Sequence, residues 1–259
     1  MPSPMVIAIA NQKGGVGKTT TAVNLGACLA GQGHPTLIID LDPQGNASTG
    51  VGCPVKGRNA TSYDLLAGRH DLAEATLSTS VDNLSLVPST PDLSSGDIDF
   101  ANRPERIKLL KSVLSQANGH EYILIDCPPA LGLLTVNALV AADAVLVPLQ
   151  AEFYALEGLS QLLMTVREVR QAANPDLRLD GVVLTMYDGR NNLSQQVEAD
   201  ARATLGELVY DTVIPRNVRI SEAPSHGLPV IAYDPSSTGS RAYTALTDEF
   251  LARQKDMRQ

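Results

Sequence analysis

The sequence predicts an α/β fold, a doubly wound and mostly parallel β-sheet covered by helices on both faces. The first observation is that short apolar runs alternate with helix-period patterns along the whole chain of 259 residues. The second is that these runs are continuous and rich in β-branched residues, as expected for strands buried on both sides. Such alternation implies right-handed strand–helix–strand crossovers. We expect a single domain over residues 1–259, long enough and, at 44% hydrophobic, apolar enough for one buried core.

Each predicted element follows from a local pattern. Apolar runs of strand length predict strands at residues 6–10, 36–41, 84–87, 122–125, 144–149, 181–185 and 209–214. Apolar residues spaced three or four apart predict helices at about 18–31, 105–116, 133–141, 156–173, 193–205 and 242–253. Two stretches, 44–59 and 89–102, contain clustered Gly, Pro, Asn or Ser, and we expect them to be surface loops of the same domain.

Composition excludes several classes of protein. With 20 Lys plus Arg and 28 Asp plus Glu, the formal charge is −8, so contact with nucleic acid would need a local basic patch. Cys28, Cys53 and Cys127 form no CxxC pair and no Cys/His cluster, which argues against a disulfide framework or a structural metal. The apolar run near the N-terminus lacks a preceding basic region, and no apolar stretch reaches membrane-spanning length. We expect a soluble, cytoplasmic protein.

A glycine-rich loop follows the first predicted strand and precedes the first predicted helix. Glycines let backbone N–H groups approach phosphate oxygens, and the helix N-terminus adds a partial positive charge. In this setting Lys18 can reach the β- and γ-phosphates, and the Thr19 hydroxyl can bind Mg²⁺. The alternative is a glycine-rich turn without a ligand. The loop predicts a P-loop ATPase with ATP and Mg²⁺ as cofactors, whose nucleotide-binding residues are Lys13, Gly14, Gly15, Val16, Gly17, Lys18, Thr19 and Thr20.

Three aspartates lie at the ends of predicted strands. Asp126 ends the run 122–125, where a carboxylate can hold Mg²⁺ directly or through water; a helix cap is the alternative. Asp40 and Asp42 are spaced by two, so in strand geometry they face the same side. A turn formed by Asp42 and the following proline is the alternative for this pair.

The motifs KGGVGKTT (13–20), DLDPQGN (40–46) and ILIDCPPALG (123–132) together resemble those of ParA/Soj chromosome-partitioning ATPases. The strict GxxxxGK[ST] pattern fails, because Gln12 occupies its first glycine position, and the extra Lys13 matches the deviant Walker A motif of the ParA/MinD group. The resemblance extends along nearly the whole chain and includes the segments 184–190 and 214–227. No additional N-terminal helix-turn-helix region is recognised, which indicates the short chromosomal type.

The resemblance implies specific roles for these residues. Lys13 would act in catalysis by reaching the nucleotide of the partner subunit, with Gly14 at a tight interface. Lys18 and Asp42 are the other expected catalytic residues. Asp42 would orient or deprotonate the attacking water. Asp40, with Thr19 and Asp126, would belong to the magnesium site, and Pro215 and Asn217 would contact the adenine side.

The resemblance also implies a cycle. The ATP-bound homodimer binds DNA without sequence preference, a ParB-type protein stimulates slow hydrolysis, and the subunits then separate. Such a protein would be nucleoid-associated in the cytoplasm. Arg190 and Arg219 lie in the Soj-like segments and are the favoured DNA contacts over Arg216 and Arg241, although each is also typical of a solvated surface charge. ParB-type proteins usually contribute a short basic peptide.

Three other classes of ATPase compete with this interpretation. A MinD-like membrane ATPase would end in a basic amphipathic helix, but residues 245–259 mix acidic and basic residues with few apolar anchors, so we expect no membrane binding. An iron–sulfur partner ATPase would need a second cysteine to accompany Cys127. A small-substrate P-loop ligase would explain the glycine-rich loop, but not the DPQGN motif or the later segments.

Overall fold

Seven strands form one sheet in the part of the chain that the computed structural model describes, residues 3–152 and 155–256. They are β1 (Met5–Ile9), β2 (Thr36–Asp40), β3 (Leu77–Ser78), β4 (Leu84–Val87), β5 (Tyr122–Asp126), β6 (Ala144–Gln150) and β7 (Arg178–Thr185). The spatial order is β3-β4-β2-β5-β1-β6-β7, and only the edge pair β3 and β4 is antiparallel. This order confirms the predicted doubly wound, mostly parallel sheet.

Helices cover both faces of the sheet. They are α1 (Lys18–Gly31), α2 (Asn46–Gly50), α3 (Ser62–Ala67), α4 (Leu72–Ala75), α5 (Gly96–Asp99), α6 (Leu109–Leu114), α7 (Leu133–Ala141), α8 (Ala155–Ala172), α9 (Asn192–Leu205), α10 (Val218–Glu222), α11 (Val230–Tyr233) and α12 (Thr238–Asp256). Single 3₁₀ turns lie at Val55–Gly57, Pro91–Ser95, Gly206–Leu208 and Ala223–His226. Within the described ranges, no helix is both long and apolar enough to cross a bilayer.

The core is divided by the sheet into two main apolar clusters. On one face, side chains of the central strands pack with those of α3, α6, α7, α8 and α9. On the other face, α1 and α12 pack against the sheet, with Leu25 of α1 close to Tyr243, Leu246 and Phe250 of α12. The C-terminal helix therefore uses its large apolar side chains to close the core.

The parallel register brings the chemically important strand ends together. Asp126 at the end of β5 pairs with Ile9 of β1 and with Asp40 of β2. Neighbouring strands are about 4.8 Å apart, so the two carboxylates begin from adjacent backbone positions. The loop that follows β1 begins at the same edge of the sheet.

The predicted strand at 209–214 is wrong. Only isolated bridges join Val209 to Val182 and Pro215 to Tyr187. Between them, the backbone N–H groups of Asp211 and Thr212 donate to the Glu249 carboxylate of α12, at 2.8 Å each. Because a side chain takes these donors, they cannot form a ladder with β7.

The predicted helix at 105–116 is shorter than expected, because Glu105 has a positive φ of 57° and the chain forms turns until α6 begins. The two predicted loops contain short helical elements, among them α2 and α5. We missed α3 and α4, although each begins with a capping box whose spacing is visible in the sequence, Thr61 with Asp64 and Asp71 with Glu74. The single-domain organisation of residues 1–259 stays a prediction, since residues 1–2, 153–154 and 257–259 lie outside the described part.

Candidate nucleotide site

The glycine-rich loop between β1 and α1 has the backbone conformation that a phosphate cradle requires. Gly15 and Gly17 have φ values of 74° and 89°, and Gly17 is the residue that caps α1. A Cβ at Gly14 or Gly15 would meet no atom within 4 Å, so this surface of the loop is open. The Thr185 hydroxyl donates to the Val16 carbonyl oxygen at 2.8 Å and ties the loop to the end of β7. The loop is thus open on one side and anchored on the other.

Lys18 lies beneath this loop. Its side chain is only 6% exposed, and its Nζ donates to the Lys13 carbonyl oxygen at 3.1 Å. Burial lowers the pKa of Lys18, while the nearby charges of Asp126, Cys127 and Asp42 act in the opposite direction. The ammonium group is therefore held inside the loop, close to three groups that carry or can carry negative charge.

Asp126 is a buried carboxyl without a hydrogen-bond partner. It is 0% exposed, and neither Oδ atom makes a hydrogen bond of ordinary geometry. Burial and the neighbouring Asp40 raise the pKa of Asp126 well above its usual range; the adjacent Thr19 hydroxyl and Lys18 oppose that rise only in part. Unsatisfied buried polar groups are rare and costly, so this carboxyl fits the role of a ligand to a cation.

Asp40 differs from Asp126 in that its oxygens have partners. Oδ2 accepts from the backbone N–H of Ser48 at 2.8 Å and from the Ser48 hydroxyl at 2.6 Å, and Oδ1 accepts from the Asp42 N–H at 3.2 Å. Burial raises the pKa of Asp40, and these hydrogen bonds oppose the rise. Asp42 is nearly buried, and its Oδ1 accepts from the Gln44 N–H at 3.0 Å. In this structure Asp40 anchors the segment that carries Asp42.

The donors at this edge fit Mg²⁺ bound together with phosphate. No group of three or more His, Cys, Asp or Glu side chains in the described ranges has the arrangement of a self-contained metal site. A P-loop magnesium ion does not need one, since a hydroxyl, a nearby aspartate, water and phosphate oxygens complete its shell. Thr19 and the unpartnered Asp126 are the residues that could provide the protein side of such a shell.

Lys13 does not point into its own loop. Its Nζ forms an ion pair with the Glu152 Oε2 atom at 2.7 Å, and the two side chains are 37% and 47% exposed. Gln150 also donates to the Glu152 carboxylate. The second lysine of the loop is therefore held at the protein surface, and no signal in the sequence pointed to Glu152 as its partner.

Pro215 and Asn217 line a cavity of about 280 Å³ beside the loop, together with Gly17, Thr20 and Thr185. Asn217 also caps α10, where its Oδ1 accepts from two backbone N–H groups, and its Nδ2 donates to the Thr238 hydroxyl at 2.7 Å. Its amide is thus already engaged, and hydrogen bonds to α10 and to Thr238 hold it at the cavity wall.

The predicted DNA contacts lie on the surface, and both are paired. Arg190 binds Asp188, which lowers the pKa of that carboxyl. Arg219 binds Glu222 at 2.8 Å and Asp234 at 3.3 Å. The other two candidates are placed differently. Arg216 lines the cavity that contains Pro215, and Arg241 donates to the Ser236 carbonyl oxygen.

Cys127 is buried, and its thiol donates weakly to the Ile125 carbonyl oxygen at 3.7 Å. Burial raises the pKa of this thiol. A buried, protonated thiol is a poor metal ligand, so the iron–sulfur alternative gains no support from it.

Comparison with known proteins gives the family. A family model described as an AAA domain matches residues 4–179. The chain is 54% identical over 254 residues to the chromosome partitioning protein ParA of Caulobacter vibrioides, covering 97% of this chain and 95% of that protein. It is 50% identical over 248 residues to the sporulation initiation inhibitor protein Soj of Bacillus subtilis, covering 95% and 98%. The chain belongs to the ParA/Soj family.

A solved structure shares the fold of this ParA/Soj protein. Cobyrinic acid a,c-diamide synthase from Mycobacterium smegmatis, with bound ADP and magnesium, has a TM-score of 0.85 and 37% identity, covering 97% of this chain and 96% of that one. The same protein has been solved with an ATP analog and magnesium. The resemblance drawn from the three motifs is confirmed, and the ParA/Soj relatives support ATPase activity and a role in chromosome partitioning.

Proposed function

We propose that this ParA/Soj protein is an ATP-dependent dimerisation switch of a DNA segregation system. The observation that carries the proposal is the position of Lys13, whose ammonium lies at the surface on Glu152 while Lys18 occupies the interior of the loop. A loop that needs only one lysine for its own phosphates has a second one available for the nucleotide of a partner subunit. Two copies would then each complete the other's site, with Gly14 on open loop surface at the interface.

ATP and Mg²⁺ are the proposed cofactors. Loop N–H groups and Lys18 would hold the phosphates, while Pro215 and Asn217 would border the base. Thr19 and Asp126 would hold the magnesium ion, which when bound neutralises charge on the phosphates. Asp40 would support this site indirectly, because its oxygens are committed to Ser48 and to the Asp42 backbone.

Asp42 is the proposed hydrolytic residue. Its carboxylate lies just beyond β2, oriented by the Gln44 N–H, and would position the attacking water or accept its proton. Hydrolysis would be slow until a partner stimulates it. A ParB-type protein with a basic peptide suits the acidic charge of −8.

DNA binding would follow dimerisation. Arg190 and Arg219 are exposed, and within one copy each forms an ion pair with a neighbouring carboxylate. A dimer would carry two sets of these arginines and so double a small basic patch. Binding through phosphates carries no sequence preference and weakens with salt. In the cell this would place the ATP-bound dimer on the nucleoid within the cytoplasm.

The test is size-exclusion chromatography with ADP and with ATP. We expect the wild type to dimerise transiently with ATP, Asp42→Ala to give a stable ATP-bound dimer, and Lys13→Ala to stay monomeric. Asp92→Ala, at an exposed position of the 3₁₀ turn Pro91–Ser95, is the control for loss of an aspartate. If Lys13→Ala dimerises and turns over ATP as the wild type does, the proposal is wrong.

A small-substrate synthase is the second candidate, because the chain is 37% identical to the M. smegmatis protein named cobyrinic acid a,c-diamide synthase. The assay is whether ATP turnover requires a small acceptor or instead responds to DNA. Membrane attachment through the C-terminal helix has less support. Tyr243, Leu246 and Phe250 of α12 are buried against the core, and residues 257–259 of the tail lie outside the described part. Liposome co-sedimentation tests it.

A further inference from the structure

Arg58 is an unusual arginine in this structure because it is buried without a carboxylate. It is 8% exposed, and no acidic side chain in the described ranges lies within ion-pair distance of it. Its guanidinium instead donates to the Ser89 carbonyl oxygen at 2.8 Å, the Cys53 carbonyl oxygen at 2.9 Å and the Thr49 hydroxyl at 2.9 Å. Arginine presents five N–H donors in a rigid fork, so one side chain can hold several acceptors at fixed angles.

The guanidinium lies directly on Gly45, the N-cap residue of α2. Gly45 has a φ of 63°, and a Cβ at this position would collide with Nη1 of Arg58 and lie 3.0 Å from the Ser89 carbonyl oxygen. The Thr49 hydroxyl that accepts from Arg58 donates to the Gly45 carbonyl oxygen at 3.1 Å. Arg58 therefore clamps α2 at both its beginning and its end.

This clamp lies one hydrogen bond away from Asp42. The Gly45 N–H donates to the Asp42 carbonyl oxygen at 2.9 Å. On the other side, the Ser48 hydroxyl donates to Asp40 and accepts from the Ser89 N–H at 3.0 Å. The segment 42–50 is thus held on one side by Asp40, at the end of β2, and on the other side by Arg58.

We propose that Arg58 is a positioning residue for Asp42. It acts without touching nucleotide, by fixing the backbone turn from which the Asp42 carboxylate projects. This inference rests on the proposed role of Asp42 in hydrolysis. A small misplacement of a reacting group costs up to about 100-fold in rate, so loss of the clamp should reduce hydrolysis more than nucleotide binding.

The experiment measures single-turnover ATP hydrolysis and Mg·ATP affinity of the full chain carrying Arg58→Lys or Arg58→Ala. We expect the hydrolysis rate to fall by about tenfold to 100-fold in Arg58→Ala, with an intermediate value in Arg58→Lys, and the Kd for Mg·ATP to stay within about twofold. Hydrogen exchange should become faster at the amides of Gly45 and Thr49. Arg103→Lys is the matched control, since Arg103 also donates to two backbone carbonyl oxygens, those of Leu66 and Ala67, away from this segment.

A double-mutant cycle covers the case in which Arg58→Ala folds poorly. Thr49→Val removes the hydroxyl that accepts from the guanidinium, so it should reduce the hydrolysis rate in the wild type and have a much smaller further effect in the Arg58→Lys background. Unchanged hydrolysis with unchanged exchange at Gly45 in Arg58→Lys and in Thr49→Val would overturn the inference, as would additive effects in the cycle. Failure of the proposed function is distinguished by Asp42→Ala, because hydrolysis that survives that substitution removes the role of Asp42 while leaving the exchange result intact.

Discussion

Asp126→Asn should stabilise the nucleotide-free protein and weaken its response to Mg·ATP. The carboxyl is fully buried beside Asp40 without a hydrogen bond, and an asparagine keeps its shape but removes its charge. Asparagine leaves two polar atoms buried, but it cannot ionise, so it removes the part of the burial cost that comes from a charge beside Asp40, about 1–3 kcal/mol. At about 2 °C per kcal/mol for a chain of this length, the Tm without nucleotide should rise by about 2–6 °C.

The same substitution reduces the stabilisation that Mg·ATP provides. At a ligand concentration 100 times Kd, the wild type gains about 2.7 kcal/mol, or about 5 °C. Loss of a group at the metal site weakens affinity by about 10–100-fold, which reduces this gain to about 0.4–1.4 kcal/mol, or about 1–3 °C.

Differential scanning fluorimetry with EDTA, and then with saturating Mg·ATP, measures both the nucleotide-free Tm and its rise on ligand binding. Asp180→Asn is the matched control. Asp180 is also a buried aspartate, but it accepts from Tyr210 at 2.6 Å, Gln254 at 2.6 Å and Arg178 at 3.2 Å, so its loss should lower the Tm. If Asp126→Asn lowers the nucleotide-free Tm as Asp180→Asn does, the reasoning from the unpartnered carboxyl is refuted.

Three further predictions concern charges elsewhere on the molecule. Glu152→Gln should change stability by less than about 1 kcal/mol, because its ion pair is half exposed, yet lower the protein concentration needed for ATP-dependent dimerisation in analytical ultracentrifugation. Arg190→Ala and Arg219→Ala should each reduce the slope of log affinity against log salt by up to about 2 per dimer, measured by fluorescence anisotropy with DNA; an unchanged slope would contradict their role. Burial raises the pKa of Glu249, but its hydrogen bonds, led by those from the 211–212 backbone, outweigh burial and lower the pKa overall. The stability that Glu249 contributes is therefore fully present above the ordinary pKa of a glutamate and is lost as the pH falls through the lower pKa of the folded state. In Glu249→Gln, the urea midpoint should accordingly vary less with pH over that acidic range.

The fold could be predicted because most of its signals are local. Buried parallel strands are apolar throughout, and the runs that became β1, β2, β5 and β6 needed no tertiary information. The segment 209–214 has the same apolar character, but the amides of Asp211 and Thr212 bind Glu249, more than thirty residues further along the chain. The pattern of apolar residues within the segment does not show that a distant carboxylate will take its N–H donors.

The candidate site was predictable in its residue types but not in its contacts. The loop motif and the strand-end aspartates identified Lys18, Thr19, Asp40 and Asp126, and the sheet brings them to one edge. That Asp126 lacks a partner while Asp40 is fully engaged depends on where Ser48 lies, and spacing alone treats the two carboxyls alike. The position of Arg58 could not be predicted, because the sequence around a buried arginine does not differ from that around a solvated one.

The hydroxyl of Thr185 has a consequence beyond holding the glycine-rich loop. Its hydrogen bond to Val16 is buried and joins the end of β7 to the middle of the loop, so a shift of the loop alone would break it or displace the end of β7. The chain leaves this junction through residues 186–191, which carry Arg190 to the surface. A rearrangement of the loop when its ligand changes would thus be relayed, through one protected contact, to an arginine that faces solvent.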